Sequence, residues 1–295
     1  MRNFILAIVI FSISLVGKSE SLDSLKLRLQ KIPTSEQFKI INDLNFGTVV
    51  ENNRSIIPLL KHYEQLALSR KEYLVLARIY MNLSLAYYYK GEYDQNLRYG
   101  LASINLLDSL GDRSQLGTMY GELGYQMKYR DLNKAFDLMK KGIIELEKMG
   151  NPEPLAKIYD NYGVLFEINN QVDSAIIFYG KSLAIKKSLK DSIGIPYSLN
   201  NFFMVYMISN KFDSAARYLD ESTKIRSRHN DDIGLAENYG YYSQLYSSKE
   251  DFKKAIVYNN LSLEKSKKHG YTNLIKSTYK ELSTTMSNCT ITKTH

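Results

Sequence analysis

A unit of about forty residues recurs down most of this 295-residue chain, and no other feature constrains its fold as strongly. Ala135, Ala175, Ala215 and Ala255 fall at steps of forty, and Asn96 holds the same place one unit earlier. Three residues after each stands a large side chain: Tyr99, Leu138, Phe178, Tyr218 and Tyr258. A fixed period of this length marks a stacked-repeat architecture. Stacked repeats build extended binding surfaces more readily than a single catalytic pocket.

Each unit divides into two helical stripes. In the first half, apolar and small residues recur at steps of three and four: Tyr80, Leu83, Ala86 and Tyr87; Tyr120, Leu123, Gly124 and Met127; Tyr159, Tyr162, Gly163 and Phe166. The series continues with Leu199, Phe202, Phe203 and Tyr206, then Tyr239, Tyr242, Ser243 and Tyr246. That spacing places each set on one helical face. Ser84, Gly124, Gly163 and Ser243 put a small residue mid-face, where a neighbouring helix approaches closely; Phe203 departs from this and predicts looser packing in the fourth pair. Polar breaks such as Lys90-Gly91-Glu92 and Asn169-Asn170 lead into the second helix. Gly111, Gly150 and Gly270 stand just past helix ends, and Pro152, Pro154 and Pro196 where helices begin. Helices are expected to start near 73, 93, 113, 132, 153, 172, 195, 212, 234 and 251.

Helix, tight turn and helix with these anchors resembles the tetratricopeptide repeat (TPR), through five units over about residues 73–270. Tyrosine or leucine replaces that family's signature tryptophan, and the period of forty exceeds its commoner thirty-four. The resemblance implies an all-α, right-handed α-solenoid of antiparallel helix pairs. Residues 20–72 read as an irregular N-terminal repeat or cap, with stripes at Leu22, Leu25, Leu29 and Ile32 and then at Phe38, Ile41, Leu44, Leu59, Leu60, Tyr63, Leu66 and Ala67. Residues 271–295 read as an unpaired first-type helix, from Asn273 to Met286, followed by a disordered tail.

Residues 1–19 differ in kind. Arg2 precedes an apolar run from Phe4 to Val16, and Gly17-Lys18-Ser19 offers small residues for a peptidase. Thirteen residues are too few for a membrane helix, so the segment reads as a cleaved secretory signal peptide, with an uncleaved anchor as the alternative. An exported, periplasmic protein is expected. No cysteine lies near the cleavage zone, and the lone Cys289 permits no internal disulfide.

Little else in the sequence suggests chemistry. The formal charge is +8, and residues 249–295 hold nine lysines against four acids. A solvated lysine-rich face accounts for that end, and no nucleic-acid partner is expected. Of the twenty-four tyrosines, thirteen occupy framework positions. His62, His229, His269 and His295 are scattered, without the i, i+4 spacing of a zinc helix. Asp231-Asp232 and Glu250-Asp251 fall in turns and read as helix caps. No catalytic set, metal site or cofactor is indicated.

The resemblance implies that the first helices line a concave groove for a protein or extended peptide. The positions before the core leucine or aromatic are Asn82, Glu122, Asn161, Asn201 and Tyr241. An asparagine amide donates and accepts at once, so such a ladder suits a peptide backbone; bonding to the neighbouring helix is the competing use. Arg78, Met81, Leu85, Tyr125, Asp160, Val164, Asn200 and Met204 are further groove candidates. The family's lysine-and-asparagine carboxylate clamp is not reproduced, since Met81 and Leu85, Gly121 and Tyr125, Asp160 and Val164 hold those places. The layout resembles the exported TPR region of bacterial sensor kinases and helix-turn-helix regulators, which implies a downstream membrane signalling partner. A membrane-tethered or cytoplasmic TPR regulator and a truncated sensor fragment are the alternatives.

Overall fold

The computed structural model describes residues 21–270 and 272–291, so the signal-peptide segment lies outside it. Among the described residues there are fifteen α-helices and no strand, the helices following one another as antiparallel pairs of the tetratricopeptide kind. Four precede the regular repeats: α1 (Leu22–Gln30), α2 (Thr34–Asn42), α3 (Phe46–Glu51) and α4 (Ile57–Arg70). First-type helices are α5 (Tyr73–Lys90), α7 (Arg113–Met127), α9 (Pro152–Ile168), α11 (Gly194–Ile208), α13 (Asp232–Ser248) and α15 (Thr272–Ile291). Second-type helices are α6 (Tyr93–Leu110), α8 (Leu132–Met149), α10 (Val172–Ser188), α12 (Phe212–Arg228) and α14 (Phe252–His269). The ten starts expected from the sequence lie within two residues of those observed.

Capping fixes these boundaries. Asp112, Asp131, Asp231 and Asp251 each accept a hydrogen bond from the backbone N–H three residues on, satisfying donors that a helix start leaves open. Gly91, Gly111, Gly150 and Gly270 end their helices with φ between 64° and 86°, a region that costs an L side chain steric strain. Two elements differ from expectation. The short α3 has too few residues for a periodic stripe, and Asn45 nucleates it by accepting from the Thr48 N–H at 2.7 Å. Helix α15 continues to Ile291 instead of stopping near 286, because no glycine or proline interrupts the sequence after Gly270.

The chain forms two compact units, residues 1–158 and 159–295. In the first, Leu25, Ile41, Ile56, Leu60, Ile79 and Leu83 are fully buried in one cluster that joins α1–α4 to α5. In the second, Ala175 and Tyr179 pack with Phe202 and Val205. The alanine anchors have no exposed surface. Beside every anchor except Ala135, which is followed by Leu138, a second-helix aromatic enters a socket on its own first helix. Tyr99 lies 5.6 Å, centroid to centroid, from both Tyr80 and Tyr87. Phe178 lies 5.8, 4.7 and 5.3 Å from Tyr159, Tyr162 and Phe166. Tyr258 lies 6.2, 4.8 and 5.4 Å from Tyr239, Tyr242 and Tyr246. Offset and edge-on rings at these separations add about 0.5–1.5 kcal/mol per pair to the area they bury.

The small positions do as expected: a Cβ at Gly163 would overlap the Tyr179 ring. Phe203 is accommodated differently, fully buried with its ring 5.1 Å from that of Tyr241. Asn96, the polar stand-in for the alanine anchor, donates to the Ser84 carbonyl at 3.0 Å and to Gln126 Oε1 at 2.6 Å. Helices α5 and α7 take up its Nδ2 hydrogens, while its buried Oδ1 has no hydrogen-bond partner.

Candidate functional site

In the first unit the first-helix face carries a charged cluster. Arg78 on α5 donates through Nε to the Asn42 carbonyl at 3.0 Å, which anchors its guanidinium beside the end of α2. Lys157 on α9 pairs with Glu122 on α7 at 2.5 Å. Glu122 raises the Lys157 pKa, while Arg78 is close enough to oppose that rise. Asn82 is buried, and its Nδ2 has no hydrogen-bond partner. Met81 is buried as well. Tyr125 keeps one face against its own helix end, where Lys128 Nζ lies 3.7 Å from its ring centroid. Burial holds the Lys128 ammonium pKa down to about 8.

In the second unit the same face splits into buried and open positions. Asp160 is buried and ion-paired with Lys186 of α10, and Ser198 Oγ sits 3.1 and 3.2 Å from its two oxygens. Asn200 is buried and donates to Asn238 Oδ1 at 2.9 Å. Asn238 in turn donates to Ser222 and Thr223. Asp160 and Asn200 therefore serve the joints between helices, the use that competes with ligand binding. Asn161, Asn201 and Met204 stay half-buried. Asn161 and Asn201, at one register position on α9 and α11, have no side-chain hydrogen bond to the described residues.

One element of this face was not anticipated. Arg226 is completely buried at the end of α12, its Nη1 3.0 Å from Asp231 and 3.4 Å from Glu237. Its guanidinium lies 4.7 Å from the Tyr197 ring centroid. Burial pushes the Glu237 carboxyl up to about 7, although Arg226 pulls the other way. Burial also raises Tyr241 far above the phenolic range. Two signals in the sequence point here. Tyr197 and Glu237 share the Arg78 and Lys157 column, and a buried cation followed by Asp-x-x-Gly recurs at Lys186/Asp191–Gly194 and Arg226/Asp231–Gly234. The glycine is needed for space, since a Cβ at Gly234 would collide with the Arg226 guanidinium.

Chemically, these faces offer hydrogen-bond donors and acceptors, paired charges and thioether and phenol surface. No group of three His, Cys, Asp or Glu residues among the described residues is placed to hold a metal ion. No helix among them is long and apolar enough to cross a membrane.

No protein-family model and no curated protein sequence matches the chain. Solved structures do resemble it. One is BtubC (BKLC) from P. vanneervenii, at 15% identity over 75% of this chain and 92% of that one, with a TM-score of 0.63. A second is a STAND protein with a tetratricopeptide repeat sensor from Pyrococcus horikoshii, at 14% identity over 89% of this chain and 43% of that one, TM-score 0.58. A third is a Rap protein complexed with competence and sporulation factor, at 13% identity over 90% and 79%, TM-score 0.58. At such identities the likeness is one of fold: the chain folds as a tetratricopeptide-like helical repeat.

Proposed function

We propose that the chain is a non-catalytic scaffold that holds a protein or extended peptide on its first-helix faces. The observation that carries this reading is the pair Asn161 and Asn201, whose half-open amides are unspent on the fold while their buried neighbours Asp160 and Asn200 are committed to it. A peptide backbone presents both a donor and an acceptor at each residue, which is what an asparagine amide complements. The Rap structure was solved in complex with competence and sporulation factor, and the likeness of fold supports a corresponding use here.

The test begins with peptides selected on the full chain from a displayed library. Asn161→Ala and Asn201→Ala should each weaken the selected peptide by about 1 kcal/mol, with helical content unchanged. Binding that survives both changes together, or helices that melt with them, returns the two asparagines to a structural role.

The apolar segment 4–16 supports export, and the resemblance to sensory TPR regions supports a place upstream of a membrane signalling protein. Mass spectrometry of the protein from its native cells should find the mature chain without its first nineteen residues; an intact Met1 would support the anchored alternative. A membrane helix and kinase encoded in the adjacent reading frame would fit the signalling role, and an unrelated neighbour would count against it.

A further inference from the structure

The second repeat lacks a ring that its neighbours have. Tyr80, Tyr159 and Tyr239 each meet an aromatic of their own second helix, Tyr99, Phe178 and Tyr258, at 5.6, 5.8 and 6.2 Å between centroids. Tyr120 holds the same column on α7, but α8 presents Leu138 in the aromatic's place. Among the described residues no ring packs on Tyr120, and the Lys141 amine lies 6.0 Å from its centroid. Beside Tyr120 a hollow of about 260 Å³ opens between the end of α6, the start of α7 and the second half of α8. Leu116, which is buried, and Ile144, which is 41% exposed, give it apolar walls. Leu116 and Tyr120 continue the framework stripe of Leu123 and Met127, so the hollow is separate from the face that carries Glu122 and Tyr125.

The rim of the hollow carries both signs of charge. Arg113 Nη1 lies 2.7 Å from Asp108 Oδ1, and Glu145 Oε1 lies 3.9 Å from the amine of Lys148. Lys141 is exposed and makes no ion pair with a described residue. Burial raises the Tyr120 pKa, Asp108 and Glu145 add to the rise, and Arg113 opposes it, so the phenol faces these same groups. We infer that the hollow binds a free amino acid with an aromatic side chain. Its ring stacks on Tyr120 against Leu116 and Ile144, where the other repeats supply a ring of their own. Its carboxylate meets Lys141 and Arg113, and its ammonium meets Glu145 and Asp108. Neither a simple anion nor a simple cation completes that set of charge-assisted hydrogen bonds. The volume sets the size of the ligand. It falls below the roughly 300–1,000 Å³ of drug-sized sites, which suits one ring with its backbone atoms and excludes a nucleotide cofactor.

The experiment titrates the whole chain with L-phenylalanine and follows the ligand by saturation-transfer NMR, which should show saturable binding. Three relatives of the probe each lack one recognised group: 3-phenylpropionate the ammonium, phenethylamine the carboxylate and L-leucine the ring. Each should bind weaker by about tenfold or more, as the loss of a charged hydrogen bond or of a stacked ring does. Ile144→Trp fills the hollow from an exposed position and should abolish the saturable signal while circular dichroism shows the helical content retained. Lys141→Glu should weaken L-phenylalanine by about tenfold. Absent binding, binding indifferent to Ile144→Trp, or equal binding of the three relatives overturns the inference. So does N-acetyl-L-phenylalanine amide binding as tightly as the free amino acid, since an aromatic side chain within a polypeptide would then be the occupant.

Discussion

Left-handed residues close many of the helices. Lys71, Gly91, Gly111 and Gly150 hold that conformation in the first unit, and Asn170, Lys190, Asn210, Asn230, Glu250 and Gly270 in the second. Asparagine tolerates the conformation through local hydrogen bonding; lysine and glutamate carry a Cβ against the following carbonyl, at about 1–2 kcal/mol. Glu250→Gly and Lys190→Gly should each stabilise the fold by about 1 kcal/mol, reduced somewhat by the freer unfolded chain. Asn230→Gly should gain less. Urea titration checks the order, and a gain at Asn230 exceeding that at Glu250 would contradict the steric account. Glu237 gives a second residue-scale expectation. Its folded pKa, about 7, lies above the ordinary carboxyl value, so the folded state holds a proton that the unfolded state releases. This group's contribution is therefore greatest at acidic pH and declines as pH rises toward and through about 7. Glu237→Gln should flatten that part of the stability profile, and an unchanged slope would show that Glu237 is already ionised when buried beside Arg226.

At the scale of the element, the joint between the two helices of a repeat is the sensitive place. Ala175 and Ala215 have no exposed surface, and each lies one helical turn from the ring that fills its socket. Ala175→Leu or Ala215→Leu should destabilise by about 1–3 kcal/mol through overpacking, well beyond any exchange of an exposed lysine. A melting temperature unmoved by both would place the joint elsewhere. These anchors, and the ten helix starts, were legible because α-helical periodicity, capping aspartates and end glycines all repeat in step. Helix α3 was not, since six residues carry no period. The polar joints were hidden for a related reason. A periodic pattern tells which face is buried but not which polar group on it finds a partner, and Asp160–Lys186 and Asn200–Asn238 join residues 26 and 38 positions apart. The recurring serines Ser103, Ser182, Ser222 and Ser262 were a readable trace of them. Ser103, Ser222 and Ser262 each donate to the carbonyl of a first helix 26 residues earlier.

At the scale of the molecule, stability in a repeat array is a sum of local terms, because each element leans chiefly on its neighbours. Within the second unit, α13 is packed by α12 on one side and α14 on the other, with Tyr241 and Tyr242 buried. Helix α15 packs on α14 and, more lightly, on α13, while Tyr279 and Met286 remain exposed. Opening α15 thus uncovers far less apolar surface than opening α13, and it need not disturb α11 or α12. Native-state hydrogen exchange should show this as a gradient. Amides in the middle of α15 should be protected at least about tenfold less than those of α13, through local opening that is insensitive to dilute denaturant. Equal protection along α13 and α15 would mean that the second unit opens as one cooperative block, and nearest-neighbour reasoning would then fail for this protein.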